Sequence, residues 1–210
     1  MMPAQIKVLL VDDHAVVRAG FRHLLEQRKN YTICEANTAE EAYSVYEKER
    51  PDVVVLDISM PGMGGMEGLR RLIRKHDQAR VLVLSMYDDP AYVSRAMKIG
   101  ASGYVSKNSA AESLDKAIVR IMSGRQYLSP DIEGQMQNKD FDSETLGLST
   151  REFEVLRLLA EGRTVGQIAV SLDLSPKTVS NHRSHLMKKL KLTSTADLVR
   201  FAIRQGVIDA

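Results

Sequence analysis

Asp57 closes an unbroken apolar run, Val53-Val54-Val55-Leu56, and is followed by Ile58-Ser59-Met60-Pro61-Gly62-Met63-Gly64-Gly65. A short β-branched run without alternation predicts a strand buried on both faces, as in a parallel sheet. The proline and glycines then turn the chain into a loop. A carboxylate at that place lies on the edge where open α/β sheets bind ligands. Other runs bring chemistry to the same edge: Asp12-Asp13 follow the run at 6–11, Ser85 ends the run at 80–85, and Lys107 follows the run at 102–106. Clustered carboxylates repel one another unless a cation joins them. An all-oxygen acidic site suits Mg2+. With that charge screened, Asp57 can attack a phosphoryl group. Lys107 can pair with the phosphoryl oxygens, and the Ser85 hydroxyl can donate to another. Each residue also has a plainer use: the aspartates as caps of a turn or helix, Ser85 and Lys107 as ordinary polar side chains. Joint placement at strand ends is what favours the chemistry. His14 is read as the start of a helix, because His23, the nearest other histidine, falls on the opposite side of that helix.

The elements that must position these groups are legible as alternating patterns. Apolar runs at 6–11, 32–36, 53–57, 80–85 and 102–106 alternate with helical spacing at 15–28, 39–49, 65–75, 91–99 and 109–122. This predicts an α/β fold, a doubly wound parallel sheet of five strands with right-handed crossovers. Cys34 is the single cysteine, which excludes a disulfide framework and a cysteine metal cluster. It is expected to serve as a small core residue. Met60, Met63 and Met66 are expected to pack rather than to bind. No apolar run reaches the roughly 18 residues of a membrane span, and the start lacks signal-peptide features. A cytoplasmic protein without a membrane partner is expected.

Charge divides the chain. Residues 147–210 hold 10 Lys+Arg against 6 Asp+Glu, and the remainder holds 19 against 21. An acidic first part and a basic second part predict two domains with different partners. Between them, 125–146 reads as a mobile linker with one short helix. After it every segment is helical. Thr150 is the expected N-cap of the first helix, without a capping box because Phe153 is its third following residue. A second short helix, 165–172, leads through Asp173-Leu174-Ser175 into a third, with Ser175 as N-cap and Pro176 in the first turn. A fourth runs from 195 to 205. Helix, tight turn, helix in a basic domain suggests a helix-turn-helix. On the third helix Val179, Leu186 and Leu190 face the core. Lys177, Asn181, Ser184 and Lys188 lie opposite, with Thr178, Ser180 and His185 beside them. Asparagine can pair with adenine and lysine can reach guanine or phosphate; a solvated helix face is the alternative. Arg183 is nearer the core and is expected to snorkel.

The segments Leu10-Val11-Asp12-Asp13-His14, Val55-Leu56-Asp57-Ile58-Ser59-Met60-Pro61, Leu84-Ser85 and Gly103-Tyr104-Val105-Ser106-Lys107 resemble the receiver domain of two-component response regulators. Leu148-Ser149-Thr150-Arg151-Glu152, Ile168-Ala169 and Leu174-Ser175-Pro176-Lys177-Thr178-Val179-Ser180-Asn181-His182-Arg183 resemble the LuxR-type DNA-binding domain, so the whole chain is similar to NarL/FixJ-family regulators. The resemblance implies a receiver at 5–124, the linker at 125–146 and a four-helix helix-turn-helix domain at 147–210. It implies a flavodoxin-like sheet of order 2-1-3-4-5 and phosphorylation of Asp57 by a sensor histidine kinase. Mg2+ is then held by Asp13, Asp57 and the backbone carbonyl of Ser59, with Asp12 acting through water. Ser85 and Tyr104 form a switch in which the ring turns inward. The third helix enters the major groove of double-stranded DNA, the fourth helps to dimerise, and activation yields a homodimer. Asn108 departs from the pattern, since receivers often carry proline after the lysine. Some relatives carry lysines at Ser180 and Ser184, so base preference is not implied.

Two rivals remain open. A phosphohydrolase using an aspartate nucleophile usually places a second acid two residues on, where this chain has Ser59, so no enzymatic turnover is expected beyond slow self-dephosphorylation. The other rival is a constitutive DNA binder whose receiver serves only as a dimerisation module.

Overall fold

A computed structural model describes residues 5–28, 30–60, 65–136 and 147–208. The strands β1 (Ile6–Val11), β2 (Tyr31–Ala36), β3 (Val53–Asp57), β4 (Val81–Ser85) and β5 (Gly103–Ser106) are parallel neighbours in the order β2-β1-β3-β4-β5, as expected. The helices between them are α1 (Ala15–Glu26), α2 (Ala39–Glu49), α3 (Gly65–Lys75), α4 (Pro90–Ile99) and α5 (Ala110–Met122). Alternate residues of the apolar runs serve opposite faces of the sheet. Val53 and Val55 pack with Leu25, Leu114 and Ile118 from α1 and α5, while Val54 and Leu56 pack with Ala42, Leu69 and Ala96 from α2, α3 and α4. Burial on both faces explains the absence of alternation in the sequence.

The sheet has a sixth strand where the sequence suggested linker. β6 (Tyr127–Leu128) runs parallel to β5, and α6 (Pro130–Met136) follows it. The strand is too short for a periodic signal, and its two residues are only partly buried. It is fastened by tertiary bonds: Ser129 N donates to the Tyr104 carbonyl at 3.0 Å, and Ser129 Oγ accepts from Ser106 N at 3.3 Å. The linker segment 137–146, and with it much of the expected mobile stretch, lies outside the described residues. So do Pro61, Gly62, Met63 and Gly64 of the loop after Asp57.

The second unit comprises α7 (Thr150–Ala160), α8 (Val165–Leu172), α9 (Pro176–Lys189) and α10 (Thr195–Arg204). The α7 N-cap is Ser149 rather than Thr150. Its hydroxyl accepts from Glu152 N and Glu152 reaches back to Ser149 N, so a capping box does form. Counting from Thr150 placed Phe153 where the acid was required. Asp173 adopts the left-handed conformation (φ 50°) at the end of α8, and Ser175 then caps α9. Met60 and Met66 are buried in the core, as expected, and Cys34 is partly buried against it.

Gly65 sets the approach of α3 to the end of β3. A Cβ there would run into the Ile58 backbone and the Asp57 carbonyl oxygen. Gly65→Ala is expected to lower stability by about 1–3 kcal/mol, the usual cost of overpacking, as read from urea unfolding midpoints.

Candidate functional site: a buried acid cluster and an exposed helix face

The carboxyl ends of β1, β3 and β5 converge as predicted. Asp57 is 1% exposed and Asp12 3%. Lys107 bridges them, its Nζ 2.7 Å from Asp57 Oδ2 and 2.8 Å from Asp12 Oδ2. Asp57 Oδ1 accepts from Ser59 N at 2.8 Å and Asp12 Oδ1 from His14 N at 2.7 Å. Ligand atoms of Asp12, Asp13, His14 and Asp57 lie within 4.8 Å of one another. Burial pushes the Asp57 carboxyl above its usual range, and the Lys107 ammonium opposes that rise. Burial also works against the charge of Lys107, but Asp57 and Asp12 outweigh it and hold the ammonium protonated.

The donor set fits a hard divalent cation. Asp13 Oδ1 is buried, makes no hydrogen bond of good geometry despite the nearby His14 ring, and faces two further carboxylates. The Ser59 hydroxyl beside Asp57 is likewise unpartnered. His14 Nδ1 lies 3.1 Å from Asp13 Oδ1, so the histidine joins the acid cluster as well as preceding α1.

Ser85 and Tyr104 are fully buried. The Ser85 carbonyl accepts from Lys107 N at 2.7 Å, linking the β4 end to the lysine loop. Ser85 Oγ accepts from Tyr87 N at 2.9 Å, and the Tyr104 hydroxyl donates to the Tyr87 carbonyl at 2.5 Å. The ring of Tyr104 is therefore already inside, whereas the resemblance implied that it turns inward on phosphorylation. Among the described residues no peptide bond is cis, so the Lys107–Asn108 bond is trans. Asn108 N donates to Ser106 Oγ instead.

On α9, Val179 and Leu186 are buried and Leu190 is partly buried, as the wheel predicts. Lys177, Ser180, Asn181, Ser184, His185 and Lys188 are exposed. Thr178 is half-buried, and its hydroxyl is 2.8 Å from that of Ser175. The Ser184 hydroxyl donates to the Ser180 carbonyl within the helix. Arg183 reaches the Thr195 hydroxyl and ties α9 to α10. Lys189 Nζ, 2.6 Å from Glu152, ties α9 to the α7 capping box.

Reading residues singly missed the contact between the two units. α7 is buried on every side except at Arg151. Phe153 packs on Tyr92 with ring centroids 5.2 Å apart. Arg95 donates to the Leu148 carbonyl at 2.7 Å and lies 5.0 Å from the Phe153 ring centroid. The Arg157 guanidinium sits 3.7 Å from the Tyr87 ring centroid. Phe153 among charged residues was the available signal.

Asp89 caps α4 through Tyr92 N, and burial beside this contact pushes its carboxyl up to about 7 while Arg157 opposes the rise. A raised carboxyl favours the folded form while protonated. That stability is present below about pH 4 and lost as pH rises through about 7. Asp89→Asn keeps a good cap and is expected to remove this decline, so its thermal midpoint should gain on wild type between pH 4 and 7.5.

Residues 8–119 match the response regulator receiver domain family, and residues 146–202 match the LuxR family of bacterial regulatory proteins. Response regulator GacA of Pseudomonas aeruginosa is 36% identical over 211 aligned positions, covering 98% of this chain and 99% of that protein. Response regulator UvrY of Escherichia coli is also 36% identical, over 98% of this chain and 97% of its own. Among solved structures, RcsB of Salmonella typhimurium aligns with a TM-score of 0.72 at 27% identity, over 97% of this chain and all of that one. An RcsB–DNA complex aligns with a TM-score of 0.63 at 28% identity, over 96% of this chain and 98% of that one. A receiver with a carboxylate cluster, joined to a helix-turn-helix unit, defines a two-component response regulator. The chain belongs to the NarL/FixJ family of these regulators and carries a LuxR-type DNA-binding domain.

Proposed function

We propose that Asp57 accepts a phosphoryl group from a sensor histidine kinase and that the phosphorylated chain binds double-stranded DNA as a homodimer to regulate transcription. The observation that carries this reading is the Lys107 bridge between Asp57 and Asp12, with Asp13 in the same cluster. In the transfer, an Asp57 carboxylate oxygen forms a bond to phosphorus while the bond to the donor histidine nitrogen breaks. Lys107 turns one of its hydrogen bonds from the carboxylates to the incoming phosphoryl oxygens. The Ser85 hydroxyl donates to another. Asp13, Asp57 and the Ser59 carbonyl would hold Mg2+, with Asp12 beside them, and the ion would supply screening of the added charge. Turnover of small phosphoesters is not expected, because Ser59 stands where such enzymes place a second acid.

The working units are the receiver at 5–124, the linker at 125–146 and the DNA-binding unit at 147–210, acting in the cytoplasm. α9 enters the major groove, with Lys177, Asn181, Ser184 and Lys188 facing bases and phosphates and Thr178, Ser180 and His185 beside them. RcsB, the structural relative, is described as two dimers bound to two parallel DNAs, which supports dimeric binding here. Two reading helices on adjacent major grooves lie about one DNA turn apart. One observation favours a second reading, constitutive DNA binding. The reading face of α9 is exposed with the two units in contact. Acetyl phosphate labelling separates protein chemistry from assembly: wild type should take up about one phosphoryl group per chain and Asp57→Asn none. Light scattering on the same samples should show a dimer only in labelled wild type. Equal mass and equal DNA affinity in both proteins would favour constitutive binding.

A further inference from the structure

We propose that the cleft between α3, α4 and the start of α7 binds a small phosphomonoester, held by Arg95, Arg70 and Lys98. The cleft has a volume of about 290 Å³. It is walled by Arg70 from α3, by Arg95, Lys98 and Ile99 from α4, and by Leu148 and Thr150 at the entry to α7. Three of the lining side chains are cationic and none is a carboxylate. None of them belongs to the acid cluster or to the reading face of α9. The cleft lies at the lower end of the volumes of small-molecule sites, roughly 300–1,000 Å³, which favours a ligand of a few carbon atoms over a nucleotide.

Arg95 is the anchor. It donates to the Leu148 carbonyl and lies against the Phe153 ring, but among the described residues it forms no ion pair. Its Nε is buried without a hydrogen-bond partner. Burial works against the charge of this guanidinium. Glu154 and Glu152 favour the charge from a distance, yet Arg151 and Lys189 engage them. A buried charge without a counterion is costly, and an anion beside it lowers that cost. Arg70 brings a second charge. Glu67 binds both Arg70 and Arg71, so the three side chains keep one net positive charge. Lys98 follows Arg95 by three residues and stands on the same side of α4. Guanidinium forks match the oxygens of a phosphate. Ile99 and Leu148 supply an apolar wall for a short carbon chain. A ligand there touches both units, because Arg95 and Lys98 belong to the receiver and Leu148 and Thr150 to the DNA-binding unit.

Calorimetric titration of the full chain with n-propyl phosphate tests the site, with EDTA present to keep divalent cations from the acid cluster. One phosphomonoester per chain is expected to bind, about tenfold tighter than inorganic phosphate because its carbons reach Ile99 and Leu148. Arg95→Gln is expected to weaken binding by about 10- to 100-fold, the loss of a charged hydrogen bond. Lys98 is exposed, so Lys98→Gln removes its charge without breaking the Arg95–Leu148 bond. It is expected to weaken binding by about 2- to 5-fold, as for an exposed ion pair. Wild type gives a check free of substitutions: the amide shifts induced by n-propyl phosphate should fall at 95–99 and 147–150. The site is overturned if millimolar n-propyl phosphate gives no saturable heat, or if Arg95→Gln binds it as wild type does. Equal affinity for inorganic phosphate and n-propyl phosphate would overturn the phosphomonoester assignment. Amide shifts confined to α9 would place the phosphate on the reading face and overturn the cleft.

Discussion

Lys107→Ala is expected to destabilise the chain by about 3–5 kcal/mol near neutral pH, the range seen when one partner of a buried ion pair is removed. Without the ammonium, Asp57 and Asp12 face each other with no positive charge between them. The Asp57 carboxyl, already raised by burial, then rises further. A carboxyl raised in the folded state contributes stability at low pH and loses it as pH climbs through the raised value. The defect should therefore be larger at pH 8 than at pH 5. Adding Asp57→Asn to the lysine variant should recover much of the loss, because the two substitutions act on one cluster and are not additive. Asp57→Asn alone should cost little, since it removes a buried charge. Urea unfolding of the four proteins at the two pH values measures all of this. Equal destabilisation at both pH values, with no recovery in the double variant, would mean that Lys107 acts by packing alone.

Asn181→Ala is expected to weaken binding to a selected duplex by about 5- to 150-fold, the 1–3 kcal/mol range of one bidentate base contact, and to relax sequence choice at one position. Lys188→Ala is expected to weaken specific and non-specific binding alike and to reduce the salt slope by about one. The two residues lie on the same exposed face, so the contrast separates base reading from phosphate attraction within one helix. Fluorescence anisotropy across a salt series gives both numbers. If Asn181→Ala changed only the salt slope, the reading face would be misassigned. Val179 and Leu186 are not useful probes here, because both are fully buried and their loss would unfold the unit.

The parts of the molecule read from local patterns were legible in the sequence. The β3 run, buried on both faces, announced itself by lacking alternation, and it delivered Asp57 to the correct edge. Asp12, Asp13 and Lys107 joined it because parallel strands end on one side of a sheet. The α9 wheel separated Val179 and Leu186 from Asn181 and Lys188 because a helix repeats faithfully over a dozen residues. β6 was missed because two residues carry no period, and its position depends on Ser129 bonding to β5. Ser149 was passed over as a cap although Glu152 stands at the spacing a capping box needs. Tyr87, Arg157 and Glu154 were passed over for a different reason. Polar residues on a helix or loop read as solvated, yet Arg157 and Glu154 are buried, and Arg157 stacks on the half-buried Tyr87 of the other unit. No pattern within one element encodes which surfaces of two units meet.

The central claim is that phosphorylation of Asp57 gates DNA binding. It is tested most directly by DNA affinity, measured with and without beryllofluoride and Mg2+, for wild type and Asp57→Asn on a duplex selected from a random pool. Beryllofluoride is expected to tighten wild-type binding by about 5- to 150-fold, the usual range of a coupling energy between two sites, and to leave Asp57→Asn unchanged. Equal affinity for both proteins under both conditions, with beryllofluoride bound to wild type, would contradict it.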